Sequence, residues 1–302
     1  MKRLYTYLLC LAALTLSACF DNENKGLLSD VYISFDPVVM ANTRSDDGSA
    51  RVQEEPFLVW AYTMPLGQHW SSQQAHEHLL MNAELISQQG QEWMPANKYY
   101  WPLQTALTVF AVSPTQLKTQ FNNTQGICIE DVDATQGIVP LFTYPTEAHD
   151  MQHSHGCVAL AFVRSFSKVS VSIRSYAHQD SSIVLKALYI DSVAYQGDFH
   201  SLPQPTWECN DERMKLSFFE GEMDITLNAQ SLSSHMVMGQ NIDRPLTAVI
   251  DIYDQNNQLI EANRTLSTKS LNTYWQAGRY YDYTLNINSG RLFFATEMVK
   301  QP

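Results

Sequence analysis

Hydrophobic and polar positions alternate along most of this chain. Period-two or wholly apolar runs recur at Val31 to Phe35, Phe57 to Tyr62, Leu107 to Val112, Val158 to Val163, Val169 to Ile173, Ile183 to Ile190, Leu246 to Tyr253 and Tyr280 to Ile287. Alternation of this kind predicts half-buried strands, and continuous apolar runs of similar length predict strands buried on both faces. Turn-forming residues separate them, as in Ser113-Pro114, Asn122-Asn123, Gln196-Gly197-Asp198 and Asn256-Asn257. One stretch breaks the pattern. From Ser71 to Gln89, Leu79, Leu80, Ala83 and Ile86 fall at helical spacing, which predicts one short helix. Many strands at short intervals predict an all-β protein, and the length suits two β-sandwich domains in tandem, joined in the 150s.

The first residues carry a different signal. Lys2 and Arg3 precede an apolar run from Leu4 to Leu16 that is too short to span a bilayer. Leu16-Ser17-Ala18-Cys19 follows, the pattern of a lipoprotein signal peptide. The expected processing removes residues 1–18 and acylates the Cys19 thiol and its new amino terminus. Several chains are needed, because one acyl chain at about 0.8 kcal/mol per buried methylene holds only marginally. An acidic, polar tether follows over residues 19–30. The expected location is the outer membrane and cell surface, with outer-membrane lipid as the partner of Cys19.

Composition narrows the function. The chain has 31 acidic against 19 basic residues, and two of the basic ones lie in the signal, leaving a net charge of about −14. Such a surface argues against nucleic acid as a partner. Beyond Cys10 and Cys19 there remain Cys128, Cys157 and Cys209, read as small core residues, with one pair and a free thiol as the alternative.

Catalytic signatures are lacking. There is no Gly-x-Ser-x-Gly elbow, phosphate-binding glycine loop or dinucleotide fingerprint. His76-Glu77-His78 would need a second histidine at position 80 to resemble a zinc-protease helix, and that residue is Leu80. His149, His153 and His155, with Asp150, form the one metal-like cluster, but no partner carboxylate stands at a defined spacing. An inter-domain loop is the favoured reading there, and no cofactor is expected. Trp60, Trp101 and Trp275 could stack on sugars but lie in or beside strands, which predicts core positions.

Several segments, in order, resemble the fimbrillin-like proteins of Bacteroidetes, subunits of pili assembled from lipoprotein precursors. They are Val31-Tyr32-Ile33-Ser34-Phe35 with Thr43-Arg44 behind it, Phe57-Leu58-Val59-Trp60-Ala61-Tyr62, and Tyr99-Tyr100-Trp101-Pro102 leading into Leu107 to Pro114. Val158 to Phe162 with Ser167 to Val171, and Trp275-Gln276-Ala277-Gly278 with Tyr280 to Leu285, complete the set. Arg164 departs from the histidine found in many relatives.

The resemblance implies a structural subunit and no enzyme, built as two transthyretin-like sandwiches over residues 31–157 and 158–302. It implies that an arginine-specific protease cuts behind the first strand, which then leaves so that another fimbrial subunit's strand fills the groove by β-strand addition. The leaving strand would be Val31 to Met40, with Val31, Ile33 and Phe35 on its inner face. The cut would follow Arg44 in the polar stretch Ala41 to Gly48, with Arg51 as the alternative site. The donor would be the C-terminal segment, with Leu292, Phe294 and Met298 on one face, and a last strand pairing within its own domain is the competing reading. A tip or accessory role is slightly favoured over the shaft. The alternative function is an uncut surface lipoprotein that binds a glycan or a host protein.

Overall fold

The computed structural model describes residues 28–39, 55–68, 70, 79–146, 149–176 and 181–300. Residues 1–18, expected to be a signal peptide, and Cys19, Met40, Arg44 and Arg51 lie outside the described residues.

The first half of the chain supplies β1 (Leu28–Tyr32), β2 (Ser34–Val39), β3 (Phe57–Pro65), β4 (Leu79–Gln89), β5 (Glu92–Pro95) and β6 (Tyr100–Pro102). Then come β7 (Thr105–Ser113), β8 (Lys118–Asn122), β9 (Gly126–Asp133), β10 (Leu141–Thr143), β11 (His149–Asp150), the single helical turn α1 (Met151–Ser154) and β12 (Cys157–Arg164). The second half supplies β13 (Ser167–Ser175), β14 (Ser181–Ala194), β15 (Gln196–His200), β16 (Thr206–Cys209), β17 (Arg213–Asp224) and β18 (Gln230–Val237). It ends with β19 (Gln240–Ile242), β20 (Thr247–Asp254), β21 (Leu259–Ser267), β22 (Thr273–Trp275), β23 (Tyr280–Ile287) and β24 (Leu292–Lys300). The protein is all-β, and the eight apolar runs fall in strands except at Ile33, between β1 and β2, and at Leu246, just before β20.

The helix expected over Ser71–Gln89 is corrected: Leu79–Gln89 is a strand, paired with β3 on one side and β5 on the other. The misleading spacing has a local cause. Ala83 adopts φ 50°, and the β3–β4 register slips between Val59↔Glu84 and Ala61↔Met81. A bulge inserts an extra residue and shifts the period-two phase, so the buried Met81 and Ile86 lie five residues apart.

Seven strands of the first half close on themselves. The order β12-β2-β5-β4-β3-β7 is completed by β10, which pairs with both β7 and β12. The interior is filled by Ile33, Phe35, Phe57, Val59, Trp93, Leu107, Val158, Leu160 and Phe162, among others. In the second half, β18-β13-β23-β24 packs over β17-β14-β20-β21 as a sandwich around Val169, Val171, Leu185, Leu188, Phe218, Ile250, Tyr283 and Leu285.

A further sheet, β16-β15-β9-β8, covers the outer face of β3 and β7. Phe121 of β8 meets Phe110 at 4.7 Å and Tyr62 at 5.4 Å, while Phe199 of β15 meets Phe142 at 4.8 Å. Strands from before and after Cys157 therefore share this sheet, with β15 paired to β9 from Gln196↔Asp133 to His200↔Cys128.

The two halves repeat one arrangement. In each, an early strand runs parallel to a late one: β2 beside β12, and β13 beside β23. The remaining pairings in these sheets are antiparallel, so the parallel pair marks the same place twice.

Candidate functional site: a strand held on one side

The residues expected to leave occupy that repeated place in the first half. β2 pairs with β12 along its whole length, from Cys157↔Ser34 to Phe162↔Val39. Ser34 donates its backbone N–H to the Gly156 carbonyl at 2.9 Å, and Ile33 donates to the Tyr99 carbonyl at 2.9 Å. Ile33 (1% exposed), Phe35 (3%) and Pro37 point into the core, whereas Asp36 and Val38 face solvent, as a half-buried strand requires. Phe35 meets the Phe57 ring edge-on at 6.3 Å, and Phe57 in turn touches Trp93 and Phe162.

On its other side β2 is poorly held. Its ladder with β5 consists of the Phe35↔Trp93 pair. The β4–β5 hairpin turns at Gly90-Gln91, with Gly90 at φ 72°. Continuing the antiparallel register from Phe35↔Trp93 carries β2 past that turn beyond Asp36, so β5 has no residues left to pair with Pro37 to Val39. Proline, lacking an N–H, also suits a position with an unpaired edge. The counterpart β13 is bracketed instead, by β18 from Ser167↔Val237 to Ile173↔Gln230 and by β23 from Lys168↔Tyr280 to Ser175↔Ile287.

Val31 does not share the inner face of Ile33 and Phe35. It belongs to β1, which pairs with β6, and it is 37% exposed. The chain breaks step at Ile33, between β1 and β2. Val31 lies over Gly156, where an added Cβ would meet its Cγ1 at 2.5 Å. Beside it, Tyr32 stacks obliquely on Tyr100 at 4.8 Å and accepts a hydrogen bond from Lys98 Nζ at 3.2 Å. A side-chain hydrogen bond with Tyr100, foremost, and then the hydrogen bond and charge of Lys98 lower the Tyr32 pKa.

The C-terminal segment forms β24, an edge strand paired with β23 from Ile287↔Leu292 to Tyr280↔Lys300. Leu292 is buried, and Phe294 packs on the core with its ring 5.8 Å from Tyr283. Met298 does not join them. The register slips between Leu285↔Phe294 and Thr284↔Thr296, so a bulge at Ala295 turns Met298 to the face of Asp282, where it is 43% exposed.

The histidine cluster has a structural explanation. Asp150 caps α1 by accepting from the His153 backbone N–H at 2.8 Å, and its carboxylate contacts the His153 ring at 2.7 Å. His155 closes the turn at φ 50°, and the His149 ring lies 3.4 Å from Ser154 Oγ. Among the described residues, no three His, Cys, Asp or Glu side chains are grouped to hold a metal ion.

The cysteines differ from one another. Cys128 is buried and Cys209 partly so, but Cys157 is exposed, which corrects its reading as a core residue; all three are free thiols. Burial pushes the Cys128 thiol up to about 11 and raises that of Cys209. Trp60, Trp101 and Trp275 are buried. Among the described residues, no helix is long and apolar enough to cross a membrane.

Pro37, Trp93 and the β4–β5 turn escaped the sequence reading. The Gln89-Gly90-Gln91 turn was a readable hairpin signal, but the pairing of β2 with β12, more than a hundred residues away, left no local trace.

The chain is thus an all-β protein of two packed halves, with β2 lying between β12 and β5 in the first. The fimbrillin-like family model matches residues 43–300, and the chain belongs to that family, whose members are fimbrial and cell-adhesion subunits of the cell surface and not enzymes. The structure is similar to a fimbrial protein from Bacteroides vulgatus, with a TM-score of 0.64 at 14% identity, covering 90% of this chain and 99% of that one. It is also similar to a protein from Bacteroides uniformis described as a candidate cell adhesion protein, with a TM-score of 0.52 at 11% identity, covering 90% and 98%. At these identities the likeness shows the fold. No curated protein matches the sequence.

Proposed function

We propose that this chain is a fimbrial subunit, exported as a lipoprotein through Cys19 and assembled by strand exchange after cleavage following Arg44. We take the two tandem domains to divide after β12, between Arg164 and Ser167, and the stretch Val31 to Met40, which contains β2, to be the segment that leaves. The observation that carries the reading is the uneven pairing of β2, along its whole length with β12 but at one registered pair with β5, set against the long ladders on both sides of β13 in the equivalent place. A strand tied along both edges would have to break two ladders to depart. Among the described residues, Pro37 to Val39 pair with β12 alone, so a single ladder has to break there, and Arg44 follows that stretch closely in the sequence.

Departure of β2 would open a seam between β5 and β12 lined by Phe57, Trp93, Val158, Leu160 and Phe162. An incoming strand with apolar residues at alternate positions would restore both the burial and the β12 ladder. In the uncut chain β2 is the covalently attached occupant, so cutting gives the exchange its direction by letting the strand diffuse away. Cys19 then anchors an export intermediate, and the arginine-specific protease releases the subunit from it.

The C-terminal strand favours a tip or accessory role over the shaft. β24 is committed to β23 along its length, and donating it would expose Tyr283 and Leu285 of its own core. A tip subunit receives a partner's strand without giving up its own.

Incubating the purified precursor with an arginine-specific protease tests the proposal. It should yield a new N-terminus at Ser45 and competence to oligomerise with a donor subunit, and Arg44→Ala should prevent both. If Arg44→Ala and Arg51→Ala, singly and together, leave assembly unchanged, the proposal fails.

A further inference from the structure

A second feature lies away from the seam. Between the β16–β17 turn and the small β19–β22 sheet is a recess of about 560 Å³, lined by Cys209, Arg213, Asn241, Asp243, Arg244 and Tyr274 among others. Its size falls within the range of about 300–1,000 Å³ usual for small-ligand sites.

The floor is fixed. Gln240 accepts from the Ala194 N–H at 2.8 Å and donates to the Ala194 carbonyl at 3.0 Å and the Met238 carbonyl at 3.2 Å. Trp207 donates its indole N–H to the Ser165 carbonyl at 2.7 Å, which locks the ring. At Gly239 any side chain would meet the Trp275 carbonyl at 2.9 Å, so the backbone is closely packed there. Register Asn241↔Tyr274 puts those two side chains on one face of the β19–β22 pair, opposite the buried Trp275 and Gln240.

The charge is the telling part. In a chain with 31 acidic and 19 basic residues, two arginines line one recess against a single carboxylate, that of the largely exposed Asp243. Arg213 donates to the backbone carbonyls of Asn210 and Glu212, which hold its guanidinium against the turn. Arg244 Nε meets only the exposed carboxylate of its neighbour Asp243, at 3.4 Å. Surface pairs of that kind are weak and readily exchanged for a better acceptor. A guanidinium presents a planar fork that matches a carboxylate. Tyr274, 37% exposed, adds aromatic surface suited to the C–H face of a sugar ring, and Asn241 an amide suited to hydroxyls, while the buried Trp207 packs on Phe166 and Phe199 and closes the floor.

We infer that this recess binds a carboxylated saccharide: the arginines take the carboxylate, Tyr274 the ring face, and Asn241 a hydroxyl. The site is independent of strand exchange and would serve an uncut chain equally well.

Calorimetric titration of the full chain with glucuronic acid, N-acetylneuraminic acid and glucose tests this. At least one acidic sugar should give saturable binding, with glucose weaker by about tenfold or more. Arg213→Ala should weaken the acidic sugar by about tenfold or more while the melting temperature holds, and Arg213→Lys should lie between. Bound sugar should also slow alkylation of Cys209. Absence of saturable binding by either acidic sugar, binding that survives Arg213→Ala together with Arg244→Ala, or acetate binding as tightly as the sugars would each overturn the inference.

Discussion

Replacing Phe35 by alanine separates a strand that leaves from one that stays. Phe35 is 3% exposed and lies edge-on to Phe57, in a core that also holds Trp93 and Phe162. Truncating a buried phenylalanine costs about 3–5 kcal/mol, the lost transfer energy plus the cavity left behind. In the uncut chain the whole of that loss should appear, read as a lower urea midpoint by tryptophan fluorescence, to which Trp93 contributes from beside Phe57 at 5.5 Å. In the assembled form β2 has gone and the cost should fall below about 0.5 kcal/mol, the level of a neutral substitution. Release of the cut strand should also speed up, by as much as tenfold for each ~1.4 kcal/mol lost before the transition state. Val38→Ala, on the exposed face of the same strand, is the control and should be silent in both states. Equal destabilisation of the uncut and assembled forms would refute the reasoning, because it would mean that β2 remains in place.

Other outcomes follow from single contacts. Gly156→Ala should destabilise the uncut chain by about 1–3 kcal/mol in thermal melts, because Gly156 sits at φ +87° and a Cβ there meets Val31 and the Tyr32 carbonyl. Tyr283→Phe should cost about 1–3 kcal/mol by leaving the buried Trp275 indole N–H, now 3.1 Å from the Tyr283 hydroxyl, unpaired. In the native protein a maleimide should modify Cys157 first and leave Cys128 untouched until unfolding. Because burial raises the Cys128 thiol from 9.0 to about 11, its contribution to stability is whole below pH 9 and is lost as the pH rises through about 11. Cys128→Ala should therefore flatten the alkaline limb of a stability-versus-pH curve.

Much of the fold could be read from alternation alone, since each long apolar run became a strand. The departures share one physical cause. At Ala83 and at Ala295 a bulge inserts a residue, and every side chain beyond it changes face. That is why Leu79 to Gln89 imitated helical spacing and why Met298 parted from Leu292 and Phe294. A bulge depends on the partner strand, so counting along one strand cannot reveal it. Val31 was misplaced by the related break at Ile33. The alternation of Ile33 and Phe35 was legible, but the one-sided support of β2 was not: it needs the parallel neighbour β12 and the early turn of β5, both set by long-range pairing. The recess around Arg213 was invisible for the same reason, its residues being scattered between 192 and 274.

A reversible lock on β2 tests strand exchange most directly. Cys157 is a free, exposed thiol directly opposite Ser34 in the parallel ladder. Neighbouring strands lie about 4.8 Å apart, within the Cα separation of about 4.4–6.8 Å that a disulfide spans. Ser34→Cys should therefore join β2 to β12 under oxidising conditions. The account predicts that the oxidised variant is still cut after Arg44 yet accepts no donor strand, and that a reductant restores assembly to the wild-type level. Assembly at the wild-type level with the disulfide intact would contradict it.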